Sequence, residues 1–167
     1  MRDREGVYEM PTPPTIVERI TELGFTPERG NRPRRCRAIV FSPNGTKIIG
    51  IQRIKPDRDP YITFPGGGLD EKDNTPLEGL YRELDEELEI APDEVTFNGA
   101  VLKYEDEYFY IGWAKDEFKD LHMSSSSPEL TESSYSGTYS PDWFEIKNLH
   151  TLNCLPEEIS EIIVNSA

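Results

Sequence analysis

The chain has 167 residues and a formal net charge of −14, from 32 acidic and 18 basic side chains. That length suits one domain burying about two-thirds of its unfolded surface and is too short for two comfortable ones. The acidic balance argues against DNA, long RNA and anionic membranes as partners, since each needs a basic face to offset phosphate charge, but it leaves room for a small nucleotide bridged by a cation.

The first residues, Arg2, Asp3, Arg4 and Glu5, have no apolar run behind them, and no stretch approaches membrane-spanning length. A cytoplasmic enzyme is the simplest expectation. Pro11, Pro13 and Pro14 resist helix formation, after which Ile16, Val17, Ile20 and Leu23 space out as a short amphipathic helix. That helix docks either on its own domain or on a second subunit, so a homodimer stays open. Residues 1–33 are therefore read as an N-terminal extension and residues 34–167 as the main domain. Arg32, Arg34, Arg35 and Arg37 crowd together as the start of a charged strand or as a phosphate-side cluster, the first being the safer reading.

Arg37 to Ser42 and Lys47 to Ile54 read as apolar strands joined by a turn at Pro43, Asn44 and Gly45. Arg53 and Lys55 supply cations to a small anion nearby. A strand-like run, Tyr61 to Phe64, leads into Pro65 and the glycines Gly66, Gly67 and Gly68, whose backbone can turn sharply and approach neighbours closely. The Gly-Lys-Ser/Thr ending of a P-loop is absent, and so is the G-x-G-x-x-G spacing of a dinucleotide site.

The next helix is marked by its own residues. Thr75 caps it, Pro76 takes the first helical position and Glu78 the third, a capping box. Leu77, Leu80, Tyr81, Leu84 and Leu88 form the buried stripe, and Pro92 is expected to stop the helix. Gly79, in the interior, costs roughly 1 kcal/mol relative to alanine and signals close packing by a neighbour. Glu83 stands one turn from Glu86 and Glu87, with Arg82 beside Glu86. Three carboxylates on one face repel each other, and a hard divalent cation such as Mg²⁺, or Mn²⁺ in its place, would relieve them while meeting a substrate's phosphates.

Val95 to Leu102 and Tyr108 to Trp113 read as further strands, with Glu105, Asp106 and Glu107 as a solvated hairpin end. Tyr104, Tyr108, Phe109, Tyr110 and Trp113 read as core or sheet-face aromatics. Ser124 to Ser140 is serine-rich, either a surface loop or a substrate lid. Asp142 to Ile146 reads as a short late strand and Pro156 to Val164 as a closing helix. Cys36 and Cys154 lack disulfide or zinc spacing, and His122 and His150 each stand alone and are assigned no role.

Arg82, Glu83, Leu84, Glu86, Glu87 and Ile90 match the second half of the box G-x5-E-x7-R-E-U-x-E-E-x-G-U, so the chain resembles the Nudix hydrolase family. The first half departs. Counted from Gly68, Asn74 stands at the upstream glutamate; counted from Gly67, Asp73 does, and Glu89 replaces the late glycine. The resemblance implies an α/β sandwich, a mixed sheet between helices. It also implies Mg²⁺-dependent hydrolysis of a nucleoside diphosphate linked to another group, with a small nucleotide such as a nucleoside triphosphate or nucleotide sugar as substrate. Glu83, Glu86 and Glu87 would hold the metal, Glu86, Glu87 and Arg82 would serve catalysis, and Gly66, Gly67, Gly68 and Arg53 would bind substrate. In many relatives a glutamate of the loop before the last strand acts as general base, which makes Glu129 and Glu132 candidates. The rival reading is a module of the same fold that binds a nucleotide without cleaving it.

Overall fold

The computed structural model describes residues 12–118, 120–124 and 137–167. Among the described residues, seven strands form one sheet: β1 (Arg35–Phe41), β2 (Lys47–Lys55), β3 (Arg58–Thr63), β4 (Gly66–Gly68), β5 (Val95–Tyr104), β6 (Glu107–Ala114) and β7 (Thr138–Glu145). The path β3-β2-β1-β6-β5 is extended by β4 on β1 and β7 on β2. Only β1 and β6 run parallel, from Arg35 opposite Glu107 to Phe41 opposite Trp113, so the sheet is mixed.

Alternation of side chains across the strands gives the sheet two apolar faces, and helices cover both. One face packs Ala38, Val40, Ile49, Val101 and Tyr110 against Leu80, Leu84 and Leu88 of α2 (Pro76–Leu88). The other packs Ile39, Phe41, Ile62, Phe109 and Ile111 against Ile16, Val17 and Ile20 of α1 (Thr15–Leu23) and Ile159 and Ile163 of α3 (Glu157–Ser166). This is the α/β sandwich expected from the sequence. Among the described residues no helix is long and apolar enough to cross a membrane.

Several local readings change. α2 ends at Leu88, four residues before Pro92, because Glu89 enters the left-handed region at φ 55° and its N–H closes on Asp85 O and Leu84 O. The three glycines form the short strand β4 rather than a turn, antiparallel to β1. β7 begins at Thr138, not Asp142, since its pairing with β2 runs the full length from Ile54 to Lys47. Glu107 is not simply solvated: it accepts a 2.9 Å bond from Arg37 Nε. Cys36 and Cys154 are buried, and burial pushes both thiols up to about 12, where no thiolate forms near neutrality.

Candidate active site

α2 is held in place by the cap that its sequence announces. Thr75 Oγ1 accepts from Glu78 N at 3.1 Å and Glu78 Oε2 accepts from Thr75 N at 3.2 Å, which sets the helix start and hence the direction of every later side chain. With Leu80, Leu84 and Leu88 turned into the core, Glu83, Glu86 and Glu87 fall on the side facing β4.

Gly66 and Gly67 of β4 are glycine because nothing larger fits, whereas a Cβ on Gly68 would meet open space. A Cβ on Gly66, at φ +138°, would stand 2.2 Å from Cys36 O, and one on Gly67 would stand 2.8 Å from the Glu83 carboxyl carbon. The backbone can thereby press against the acids of α2, and Gly66 N–H donates to Glu87 Oε1 at 3.2 Å. Glu87 is only 6% exposed, although the sequence groups it with Glu83 and Glu86 on one carboxylate face of the helix.

Arg82 acts behind this wall. Its Nε and Nη2 grip Asp73 Oδ1 and Oδ2 at 2.9 and 2.8 Å, while Nη1 reaches Glu86 Oε2 at 3.1 Å and Glu83 Oε1 at 3.3 Å. The bidentate fork fixes the guanidinium plane. Asp73 is 7% exposed, whereas Asn74 is exposed, so Asp73 is the upstream acid that meets the arginine. The Arg82 guanidinium holds the Asp73 carboxyl below the usual carboxylate range, assisted by Asp70 N–H, which donates to it at 2.8 Å. Arg32 completes the brace by donating to Asp73 O and Asp70 O.

One cavity of about 430 Å³ joins these parts. Glu83, Glu86 and Glu87 line it together with Gly66, Gly67 and Gly68, and Arg35, Arg37 and Arg53 line it too. Arg37 is anchored by Glu107 and by Phe64 O at 3.0 Å. Of the cluster read as a strand start, then, Arg35 and Arg37 belong to the cavity and Arg32 to the brace. Arg82 does not line the cavity; it meets Asp73, Glu83 and Glu86 from outside it. Tyr61 and Tyr139, which line the cavity, were read only as parts of a strand-like run and of the serine-rich segment, because neither carries a spacing rule that marks a site; the strand registers bring them in. Glu129 and Glu132 lie outside the described residues.

Among the described residues, no three acidic, histidine or cysteine side chains are closed around one point. The donor set nonetheless suits a hard cation: three carboxylates line one cavity, and the missing Cβ of Gly67 keeps the space before Glu83 clear.

The family model described as NUDIX domain matches residues 31–163. An RNA pyrophosphohydrolase of Halorhodospira halophila (strain DSM 244 / SL1) is 33% identical over 81 residues, which span 48% of this chain and 38% of that protein. Among solved structures, MutT from work on Aliivibrio salmonicida and Vibrio cholerae superposes with TM-score 0.56 at 16% identity, covering 82% of this chain and 100% of that one. A C. elegans Ap4A hydrolase superposes with TM-score 0.55 at 15% identity, covering 78% and 93%. These two likenesses show the fold.

Proposed function

The chain belongs to the NUDIX domain family, and from that premise we propose that it is a hydrolase that splits the phosphoanhydride of a nucleoside diphosphate linked to another group. A small nucleotide, a nucleoside triphosphate or a nucleotide sugar, is the substrate class. One observation carries this reading: three carboxylates of α2 and three arginines of β1 and β2 line a single cavity whose volume suits a small ligand.

Glu83, Glu86 and Glu87 would hold Mg²⁺, or Mn²⁺, which when bound offsets phosphate charge and acidifies water. Arg35 and Arg37 bind phosphate oxygens, Arg37 with its plane already fixed by Glu107. Water attacks phosphorus, the bridging P–O bond breaks, and the proton goes to a carboxylate, either one of α2 or Glu129 or Glu132 of the serine-rich segment. Arg82 keeps the α2 acids in register through Asp73. Gly66 to Gly68 present backbone to the reacting groups without side chains in the way.

The RNA pyrophosphohydrolase relative brings the 5′ end of an RNA in as a competing substrate. The net charge of −14 works against a long polyanion, so a small nucleotide is preferred. The test is release of phosphate and pyrophosphate from nucleoside triphosphates, nucleotide sugars, dinucleoside polyphosphates and a short 5′-triphosphate RNA, with Mg²⁺ and with chelator. Mg²⁺-dependent release supports the hydrolase. Silence across the panel, with one nucleotide raising the thermal midpoint, leaves the binding module standing instead.

A further inference from the structure

Arg53 of β2 pairs directly with Tyr61 of β3 on one side and with Tyr139 of β7 on the other. The three side chains therefore form a cross-strand row on one face of the sheet, and all three line the cavity that holds the α2 carboxylates. Arg53 Cζ lies 3.5 Å from the centre of the Tyr139 ring, and Arg58 Cζ lies 3.9 Å from that of Tyr61. The guanidinium of Arg53 is further tied by Nε donating to Thr138 O at 3.3 Å. The Arg53 guanidinium stacked on the Tyr139 ring thus lies in the cavity beside the phosphate-binding arginines Arg35 and Arg37, while Tyr61, 7% exposed and covered by Arg58, backs the row.

Flat π-faces with an arginine plane between them are what a nucleobase stacks on. A phosphate is met by charge and hydrogen-bond donors, which Arg35 and Arg37 already supply, rather than by a π-face, whereas a planar base draws on the stacked guanidinium and ring. We propose that the Arg53–Tyr139 stack, backed by Tyr61, forms the nucleobase platform of this site. The arrangement favours purines over pyrimidines by their larger stacking area. Stacking of this kind tolerates sequence, so adenine and guanine nucleotides are accepted alike.

The platform rests on the reading of the cavity as a phosphoanhydride site, and the test keeps the two apart. Equilibrium binding is measured for ATP, GTP, CTP and UTP and for inorganic tripolyphosphate, which carries the phosphates without a base, in Ca²⁺ to slow turnover; hydrolysis is measured separately in Mg²⁺. The platform predicts purine nucleotides binding about tenfold or more tighter than tripolyphosphate, with pyrimidines between. In Tyr139→Ala that ratio falls toward one, whereas Tyr139→Phe, which keeps the ring, retains it. Thermal unfolding of both variants checks that β7 still docks, and Tyr139→Leu offers the same loss of ring with more of the volume. A ratio near one in the unmodified chain, or one that Tyr139→Ala and Tyr139→Leu leave intact, overturns the platform even if hydrolysis is robust. Discrimination without hydrolysis of any nucleotide overturns the hydrolase and leaves the platform in place.

Discussion

Glu87 shows how one side chain is shared between fold and chemistry. It is buried on the apolar side of its own helix, yet its carboxylate turns to Gly66 N–H and to the cavity. Glutamine would keep the acceptor oxygen and lose the charge. Glu86→Gln and Glu87→Gln are therefore expected to lower kcat on the order of 10²-fold or more, about 3 kcal/mol, with thermal midpoints close to the parent's by scanning calorimetry. Asp73 is the opposite case, a carboxylate whose work is structural. Its folded-state pKa lies below that of the unfolded chain, so its contribution is complete above the ordinary carboxylate value of about 4 and is lost as pH falls through its depressed folded value. Asp73→Asn should cost about 2 kcal/mol at neutral pH, in the range of a charged hydrogen bond, and flatten the acid limb of a stability–pH curve from urea titrations. An unchanged acid limb would separate Asp73 from the acid response.

At the scale of elements, α2 and its loop were the most legible part of the chain. Thr75, Pro76 and Glu78 named the helix start, and the leucine spacing named the buried face, so the facing of Glu83, Glu86 and Glu87 followed. The helix end was not legible, because a glutamate at φ 55° breaks the rule that reserves that region for glycine and asparagine. Glu89→Gly should stabilise the fold by about 1 kcal/mol through relief of that backbone cost, since the contact Glu89 makes with His122 is exposed on both sides. Gly79 was read correctly as a packing site, and the neighbour is the loop carrying Asp73: a Cβ would fall 2.6 Å from Leu69 Cδ2 and 2.8 Å from Asp73 Oδ2. Gly79→Ala should thus lose about 1–3 kcal/mol by overpacking despite its better helix propensity, measurable by chemical denaturation. A gain in stability would show that the loop yields easily. β4 and the early start of β7 escaped the sequence because glycine carries no strand signal and Pro141 interrupts the one that Thr138 and Tyr139 carry; long-range pairing with β1 and β2 makes them strands.

For the whole molecule, the sheet divides labour between its faces. The α2 face carries the cavity, and the α1 and α3 face is apolar core, with Ile20 fully buried among both helices and the sheet. The succession of hairpin, glycine segment, helix and later strands along the chain was foreseen, but the registers that bring Tyr61, Arg53 and Tyr139 into one row arise from pairings between distant segments, which no local pattern encodes. Because α1 shares the core of the sheet, we predict that Ile20→Ala destabilises the protein by about 2–4 kcal/mol in a single cooperative transition, rather than melting α1 alone. Two separable transitions would instead mark α1 as an independent appendage.

The central claim is that the negative charge of the α2 acids serves hydrolysis rather than folding. The measurement that reaches it most directly is turnover of the best nucleotide by the parent and by Glu87→Gln in Mg²⁺, with the thermal midpoint of each taken on the same preparations. Loss of turnover on the order of 10²-fold with an unshifted midpoint is the predicted result. Equal turnover in the two proteins, or a Glu87→Gln chain that fails to fold, would contradict it.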